Sequence, residues 1–136
     1  MGSSQMPATG TCVLRTVGRR TGRWRSVELW YVVADGELVL TGTPGPRAWV
    51  ANLRVNPAAV VRLRDPQGER AVVAREVTDP DRRRRIIAEA WRLQPWYAEQ
   101  PYSVDEWVAS SPVVVLDPCG PSGGASEAVR EVHHGL

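Results

Sequence analysis

Residues 24–43 read WRSVELWYVVADGELVLTGT, and this stretch decides the fold. Apolar and polar residues alternate from Trp24 to Val33, which is typical of a β-strand with one face in a core. The Asp35-Gly36 pair that follows is a strong signal for a tight hairpin turn. Glu37–Thr43 is the expected partner strand. The stretch therefore predicts an antiparallel hairpin.

The two faces of the first strand differ in character. The face expected to point into the core carries Val27, Leu29, Tyr31 and Val33. The opposite face carries Trp24, Ser26, Glu28 and Trp30. Two tryptophans on an open face are costly unless something covers them. A flat ligand, a packed helix and a second subunit would each do so, and the pattern does not choose among them.

The rest of the chain continues the alternation of hairpins and inserted helices. Further strands are predicted at 11–17, 58–64, 69–78 and 113–116, and helices at 46–55, 80–93 and 104–109. No strand-helix-strand dinucleotide fingerprint occurs, which argues against a doubly wound sheet. The prediction is a mainly β protein with α-helices: a split β-barrel, mostly antiparallel, with helices covering its openings. We expect residues 1–10 to form a flexible arm, 11–117 the domain, and 118–136 a disordered tail.

Composition excludes several classes of protein. The 136 residues fit one domain, and no apolar run approaches the roughly 20 residues of a membrane span. The start lacks the features of a signal peptide, so a cytoplasmic location is expected. A net charge of +2 argues against nucleic-acid binding, and the exclusive use of arginine over lysine fits a GC-rich genome. Cys12 and Cys119 match no metal or redox spacing, so we expect two free thiols and no metal site.

One short segment has the residues of an anion site. Arg19, Arg20, Arg23 and Arg25 lie within seven residues, interrupted by glycines and by Thr21. Glycine allows the backbone to turn tightly, and the backbone amides of such a turn form an anion-binding concavity. Each guanidinium group can donate two parallel hydrogen bonds to phosphate oxygens. The segment predicts a phosphate site at the mouth of the barrel; a solvated basic turn is the alternative. By strict alternation Arg25 shares the face of Leu29, so it reaches this phosphate only if the regular strand begins after it.

Two blocks of sequence resemble the deazaflavin-dependent nitroreductase family. Residues 17–32 are similar to its pattern T-G-R-(K/R)-(S/T)-G-x-P-R-x-x-P-L-(W/Y). Residues 41–57, TGTPGPRAWVANLRVNP, are similar to its Gly/Pro turn, basic residue and W-x-x-N-L-x-x-(N/D)-P helix, and residues 106–113 have a familiar shape. The resemblance covers about residues 11–117. It implies a member of the flavin/deazaflavin oxidoreductase superfamily that binds reduced coenzyme F420 and passes a hydride to a quinone, enone or nitroaromatic acceptor.

The resemblance also implies roles for particular residues. The cofactor would contact Arg19, Arg20, Thr21, Arg25, Ser26, Val27, Arg47, Trp49 and Asn52. Trp30 matches an aromatic that lines the family's substrate pocket, and Trp24, on the same face of the strand, is a further candidate for substrate binding. The product would be protonated by Tyr102, by Tyr97 or by water, with packing as the simpler role of either tyrosine. Glu28 is a candidate general base if burial raises its pKa; a structural salt bridge is its simpler role.

The chain departs from the family at two positions. Trp24 and Glu28 both stand where the family prefers proline. A carboxylate beside an anionic cofactor repels it unless the carboxylate is paired, and Arg25 or Arg47 is the expected partner. Two alternatives therefore stand beside the deazaflavin enzyme: an FMN-binding relative, and a cofactor-free isomerase or cyclase on the same barrel. In each case the partner is a small molecule, and the protein is a monomer or a homodimer.

Overall fold

The structure, a computed structural model, describes residues 7–64 and 67–119. Most of the predicted N-terminal arm and of the predicted C-terminal tail lies outside these residues. Within them, six strands close into an antiparallel barrel in the order β1-β2-β3-β6-β5-β4. The strands are β1 Thr9–Val17, β2 Trp24–Ala34, β3 Glu37–Thr41, β4 Ala58–Arg64, β5 Gln67–Glu76 and β6 Val113–Pro118. The helices are α1 Ala48–Val55, α2 Pro80–Leu93 and α3 Val104–Ser110, with a 3-10 helix at Pro95–Glu99.

The predicted fold class and element order are confirmed, and the differences lie at element ends. Strand β1 begins at Thr9, inside the predicted arm, and β6 continues through Pro118. Helix α1 begins at Ala48 rather than Pro46, because Arg47 is its N-cap with an extended backbone at φ −137° and ψ 142°. These shifts leave the barrel topology unchanged.

The core has two parts, one inside the barrel and one beneath the helices. Val27, Leu29, Tyr31 and Val33 all pack into the barrel interior, as predicted. Outward-facing residues of β2, β3 and β6 form the second part, where α2, the 3-10 helix and α3 cover them. Trp30, also on the outward face of β2, lies outside this second part and is 43% exposed. Trp24 is half-buried, with the Arg15 guanidinium 5.3 Å from its ring centre.

Side-chain hydrogen bonds fix the ends of the covering helices. Asp79 accepts a bond from the Arg82 N–H at 2.8 Å and begins α2. Ser103 and Glu106 form the predicted capping box of α3. At the other end of α3, the guanidinium of Arg83 donates to the carbonyls of Val108 and Ser111. These bonds satisfy backbone groups that a helix end leaves unpaired.

Both cysteines are free thiols, as predicted. Cys12 is fully buried in the barrel and Cys119 is half-buried. Of the helices described, none has the combination of length and apolar character that a membrane span requires.

Candidate functional site

A cavity of about 420 Å³ opens at the end of the barrel where the β1–β2 turn faces α1. We call it the mouth cavity. Eight of the nine residues that the sequence assigned to a cofactor line it. They are Arg19, Arg20, Thr21, Arg25, Ser26, Val27, Trp49 and Asn52. Thr16, Gly18 and Ala48 also line the mouth cavity, and sequence reasoning did not assign them to the site.

The β1–β2 turn is closed by its own backbone. The Gly18 N–H donates to the Arg23 carbonyl, and the Gly22 N–H donates to the Gly18 carbonyl, both at 2.8 Å. Gly22 has φ +73°, a left-handed conformation that favours glycine. A Cβ added to Gly18 would lie 2.9 Å from the Thr21 hydroxyl oxygen, which itself accepts from the Arg23 N–H. The turn is therefore compact, and it holds Arg19, Arg20 and Thr21 at the cavity.

Asn52 joins α1 to this turn and to β1. Its side-chain oxygen accepts from the Arg19 backbone N–H at 3.0 Å and from the Arg19 guanidinium at 3.2 Å. Its side-chain nitrogen donates to the Thr16 hydroxyl at 3.2 Å. Asn52 is 6% exposed and Thr16 is 1% exposed. The amide thus fixes both the position of the turn and the direction of one guanidinium.

Arg25 reaches the cavity from within β2. Its register partner in β1 is Thr16, and directly paired residues on adjacent strands share a face of the sheet. Both residues line the mouth cavity, so Arg25 lies at the same opening as Thr16. The expectation that the strand must begin after Arg25 was wrong: β2 begins at Trp24, and the cavity lies at the barrel mouth rather than on the Trp24 face.

The mouth cavity carries uncompensated positive charge. Within the described chain, the guanidinium groups of Arg20 and Arg25 make no hydrogen bond or ion pair, and Arg19 bonds only to the neutral Asn52 amide. No Asp or Glu is among the lining residues that the structure describes. A concave site of one charge sign concentrates ions of the opposite sign. The arrangement is suited to binding an anion.

Arg47 is the one predicted cofactor residue that does not line the mouth cavity. Its guanidinium donates to the carbonyls of Thr43, Gly45 and Pro46, and to the Thr43 hydroxyl at 2.6 Å. These bonds hold the turn before α1. Arg47 faces a different cavity, on the other side of α1.

Trp24, Trp30 and Glu28, from the outward face of β2, are not among the lining residues of the mouth cavity. Glu28 pairs with Arg64 at 2.5 Å, so the expected pairing with Arg25 or Arg47 was wrong. The register explains this, because Glu28 lies opposite Val13 of β1, and Val13 lies opposite Arg62 of β4. Arg64 shares the outer face of Arg62. The tryptophan that lines the cavity is Trp49 of α1.

The two candidate tyrosines belong to the aromatic cluster under the helices. The Tyr97 hydroxyl is hydrogen-bonded to the Thr41 hydroxyl at 2.6 Å, and its ring stacks on Trp107 at 4.5 Å. Burial raises the pKa of Tyr97. Tyr102 meets the edge of Trp107 at 6.3 Å and is 36% exposed. Neither tyrosine lines the mouth cavity.

Comparison with known proteins gives one family and a set of similar folds. Residues 2–118 match the model of a family described as F420H(2)-dependent quinone reductase. No protein with a curated description matches the chain.

Three solved structures illustrate the fold. A conserved hypothetical protein from Mycobacterium tuberculosis is 24% identical, with a TM-score of 0.60 over 86% of this chain and 75% of that one. A structure described as an F420 reductase is 22% identical, with a TM-score of 0.59 over 88% and 92% of the two chains. An F420-H2 dependent reductase is 21% identical, with a TM-score of 0.52 over 79% and 93%. At these identities the likeness is one of fold.

Proposed function

The chain belongs to the F420H(2)-dependent quinone reductase family, and on this premise we propose that its mouth cavity holds the phosphate end of coenzyme F420. It is an F420-dependent reductase, and the acceptor that we propose is a small, flat, electron-poor molecule, a quinone first and an enone or nitroaromatic next. The observation that carries the proposal is the convergence of Arg19, Arg20 and Arg25 on one cavity that has no carboxylate among its described lining residues.

The donor set of the mouth cavity fits a phosphate group. Arg20 and Arg25 keep all their N–H donors free within the described chain, and a guanidinium presents two parallel donors to phosphate oxygens. The Thr21 hydroxyl accepts from the Arg23 N–H and retains its own O–H as a donor. Trp49 also lines the cavity, and its indole N–H is buried without an acceptor among the described residues. Val27 and Ala48 contribute an apolar part to the wall of the cavity.

When bound, the reduced deazaflavin supplies a hydride to the acceptor, and the protein supplies binding, orientation and exclusion of water. Reduction of a quinone or an enone also needs a proton, which we assign to water at the open mouth of the barrel. Three side chains are less suited to this role. Tyr97 is bonded to Thr41 under the helices, Tyr102 lies beside Trp107, and Glu28 is paired with Arg64 on the outer wall.

Titration of the protein with coenzyme F420, followed by fluorescence, tests the cofactor site. We expect Arg20→Gln and Arg25→Gln each to weaken binding by about ten- to hundred-fold, because a hydrogen bond to a charged group contributes about 1.5–3 kcal/mol. Arg23→Gln is the matched control. Arg23 lies in the same turn and is exposed, but it does not line the mouth cavity, so its substitution should change the dissociation constant by less than about two-fold.

Two results would contradict the proposal. A dissociation constant in the millimolar range for the wild-type protein would mean that the mouth cavity is not a coenzyme F420 site. Equal losses in Arg23→Gln and Arg20→Gln would mean that general electrostatic attraction, and no defined site, accounts for the binding. The acceptor is tested separately, by the rate at which a naphthoquinone and a nitroaromatic each oxidise the reduced coenzyme.

A further inference from the structure

A second cavity, of about 400 Å³, lies on the opposite side of α1 from the mouth cavity. Ala48, Trp49 and Asn52 face the mouth cavity. Val50, Ala51 and Arg54 face the second cavity, as helical spacing requires. Its other walls are the turn before α1, the end of β5, one residue of α2, and the end of α3 with the two residues that follow it. The two cavities are therefore separate sites that share a helix.

The charged lining of the second cavity is predominantly positive. Arg47, Arg54 and Arg83 contribute guanidinium groups, and Glu76 is the only acidic residue among the described lining residues. Arg54 occupies both oxygens of Glu76, at 3.0 Å and 2.6 Å, and this bond lowers the pKa of Glu76. That pair is neutral as a unit. Glu76 also attracts Arg83 without a direct ion pair, and neither Arg83 nor Arg47 forms an ion pair within the described chain. The described lining therefore holds three guanidinium groups against one carboxylate, an excess of two positive charges.

Arg83 is held by neutral oxygens. Its guanidinium donates to the carbonyls of Val108 at 2.7 Å, Val77 at 2.9 Å and Ser111 at 2.6 Å. Carbonyls fix the position of a cation but do not cancel its charge, and burial lowers the pKa of Arg83. Three of the five guanidinium N–H donors are used, so two remain for another partner. The result is a pre-positioned cation that still has donors available.

The turn before α1 adds further positive potential. Arg47 is held by the carbonyl and hydroxyl groups of its own turn, which are also neutral. Its side chain does not cap α1, so the first-turn amides of that helix receive no side-chain acceptor from the N-cap. The N-terminal end of a helix carries partial positive charge.

The hydrogen bonds of Arg47 and Arg83 have structural roles, because they hold the turn before α1 and cap the end of α3. These roles do not account for the excess of positive charge that the two side chains bring to the cavity.

We propose that the second cavity binds a small oxyanion carrying two negative charges, either a dicarboxylate or a phosphate monoester. An excess of two positive charges in the described lining matches a dianion, and planar guanidinium groups match carboxylate or phosphate oxygens. The site is distinct from the cofactor site and does not depend on the proposed function.

Calorimetric titration of the full chain tests this site with succinate, inorganic phosphate and acetate, at about pH 8 and constant ionic strength. At that pH phosphate groups carry close to two negative charges. We expect saturable binding of succinate or phosphate at least ten-fold tighter than that of acetate. A preference for succinate would identify the dicarboxylate, and a preference for phosphate the phosphate monoester.

Variants locate the binding. Arg54→Gln removes one guanidinium and frees the Glu76 carboxylate, so it should weaken dianion binding by at least ten-fold. Arg64→Gln is the matched control, because Arg64 forms a similar exposed ion pair with Glu28 on the outer wall, and binding should stay within two-fold. Ala51→Glu places a carboxylate in the cavity, so it should also weaken dianion binding, and it tests the site without removing an arginine.

Arg20→Gln distinguishes the two cavities. Because the mouth cavity is itself a proposed phosphate site, the comparison is made in the Arg20→Gln background. Dianion binding that persists in Arg20→Gln and is lost when Arg54→Gln is added supports the proposal. Absence of dianion binding in Arg20→Gln, retention when either Arg54→Gln or Ala51→Glu is added to it, or equal binding of acetate and succinate overturns it. Coenzyme F420 titrated into Arg54→Gln should bind as it does to the wild type. A failure of the second site is thereby separated from a failure of the cofactor site.

Discussion

Replacing Asn52 by leucine should weaken both the fold and the cofactor site. The substitution keeps the approximate size of the side chain and removes three hydrogen bonds, two to Arg19 and one to Thr16. The Arg19 groups regain water, because that residue is exposed. The Thr16 hydroxyl is 1% exposed and stays dry, so most of the cost comes from this unpaired group. With about 1–3 kcal/mol for a buried unpaired group and a smaller loss from the other bonds, we expect Asn52→Leu to cost about 2–3 kcal/mol.

Thermal unfolding and cofactor titration together measure this effect. A loss of about 2–3 kcal/mol corresponds to a fall in Tm of roughly 6–10 °C for a domain of this size. Binding of F420 should weaken by about ten-fold, because the turn that positions Arg19 loses its attachment to α1.

Asn52→Asp is the control that separates position from charge. It keeps the acceptor for Arg19 but adds a negative charge to the mouth cavity, so it should be more stable than Asn52→Leu and still bind the anionic cofactor poorly. A Tm within two degrees of wild type and unchanged binding in Asn52→Leu would refute the reasoning.

Two further predictions concern buried groups outside the mouth cavity. Burial, with a smaller contribution from Glu28, raises the pKa of Cys12 from 9.0 to about 12. Between these values the unfolded thiol ionises while the folded one stays protonated, so the free energy of unfolding falls as pH rises, by up to about 1.4 kcal/mol per pH unit. Cys12→Ala should lack this part of the slope in urea titrations across that pH range, and an identical slope would contradict the assignment. Tyr97→Phe should lower stability by about 1–2 kcal/mol through the lost bond to Thr41, yet leave kcat/KM for the acceptor within two-fold; a ten-fold fall would make Tyr97 a catalytic residue.

Local sequence patterns were sufficient to predict the barrel. The alternation in β2 gives the inward set, and the Asp35-Gly36 turn gives the hairpin, because both signals depend only on neighbours in sequence. The predicted first residue of α1 was wrong, and the reason is also local. Pro46 fits the first turn of a helix, but it also fits the extended segment that precedes an N-cap, and the chain takes the second option. Sequence alone does not distinguish these two uses of proline.

In the candidate site, too, the residues that depend only on local sequence were predictable and those that depend on strand pairing were not. Arg19, Arg20 and Thr21 are consecutive, so a single turn brings them together and a sequence pattern finds them. The role of Arg25 depends on the register between β1 and β2, which places it opposite Thr16. The partner of Glu28 depends on a third strand, which no pattern within β2 reveals.

The tryptophans of β2 show a different limit. Indole surface on a strand left a ligand, a packed helix and a second subunit open as its cover. In the structure Trp24 lies beside the Arg15 guanidinium, and Trp30 is 43% exposed. A tryptophan from a separate helix, Trp49, lines the cavity instead. Its place depends on how α1 packs across the barrel mouth, and that packing is a property of the whole fold.

The partners of the arginines, more than their number, decide where this protein can bind an anion. Several arginines on the outer surface face carboxylates at hydrogen-bonding distance, as Arg54 and Arg64 do, and these charges are cancelled locally. Arg83 is bonded to carbonyls, so it is fixed in place and keeps its charge. Arg20 and Arg25 have no partner in the described chain and keep both charge and donors. A net charge of +2 is therefore compatible with two positive cavities, because most of the described acidic residues in ion pairs lie on the walls of the barrel and no described one lines its mouth.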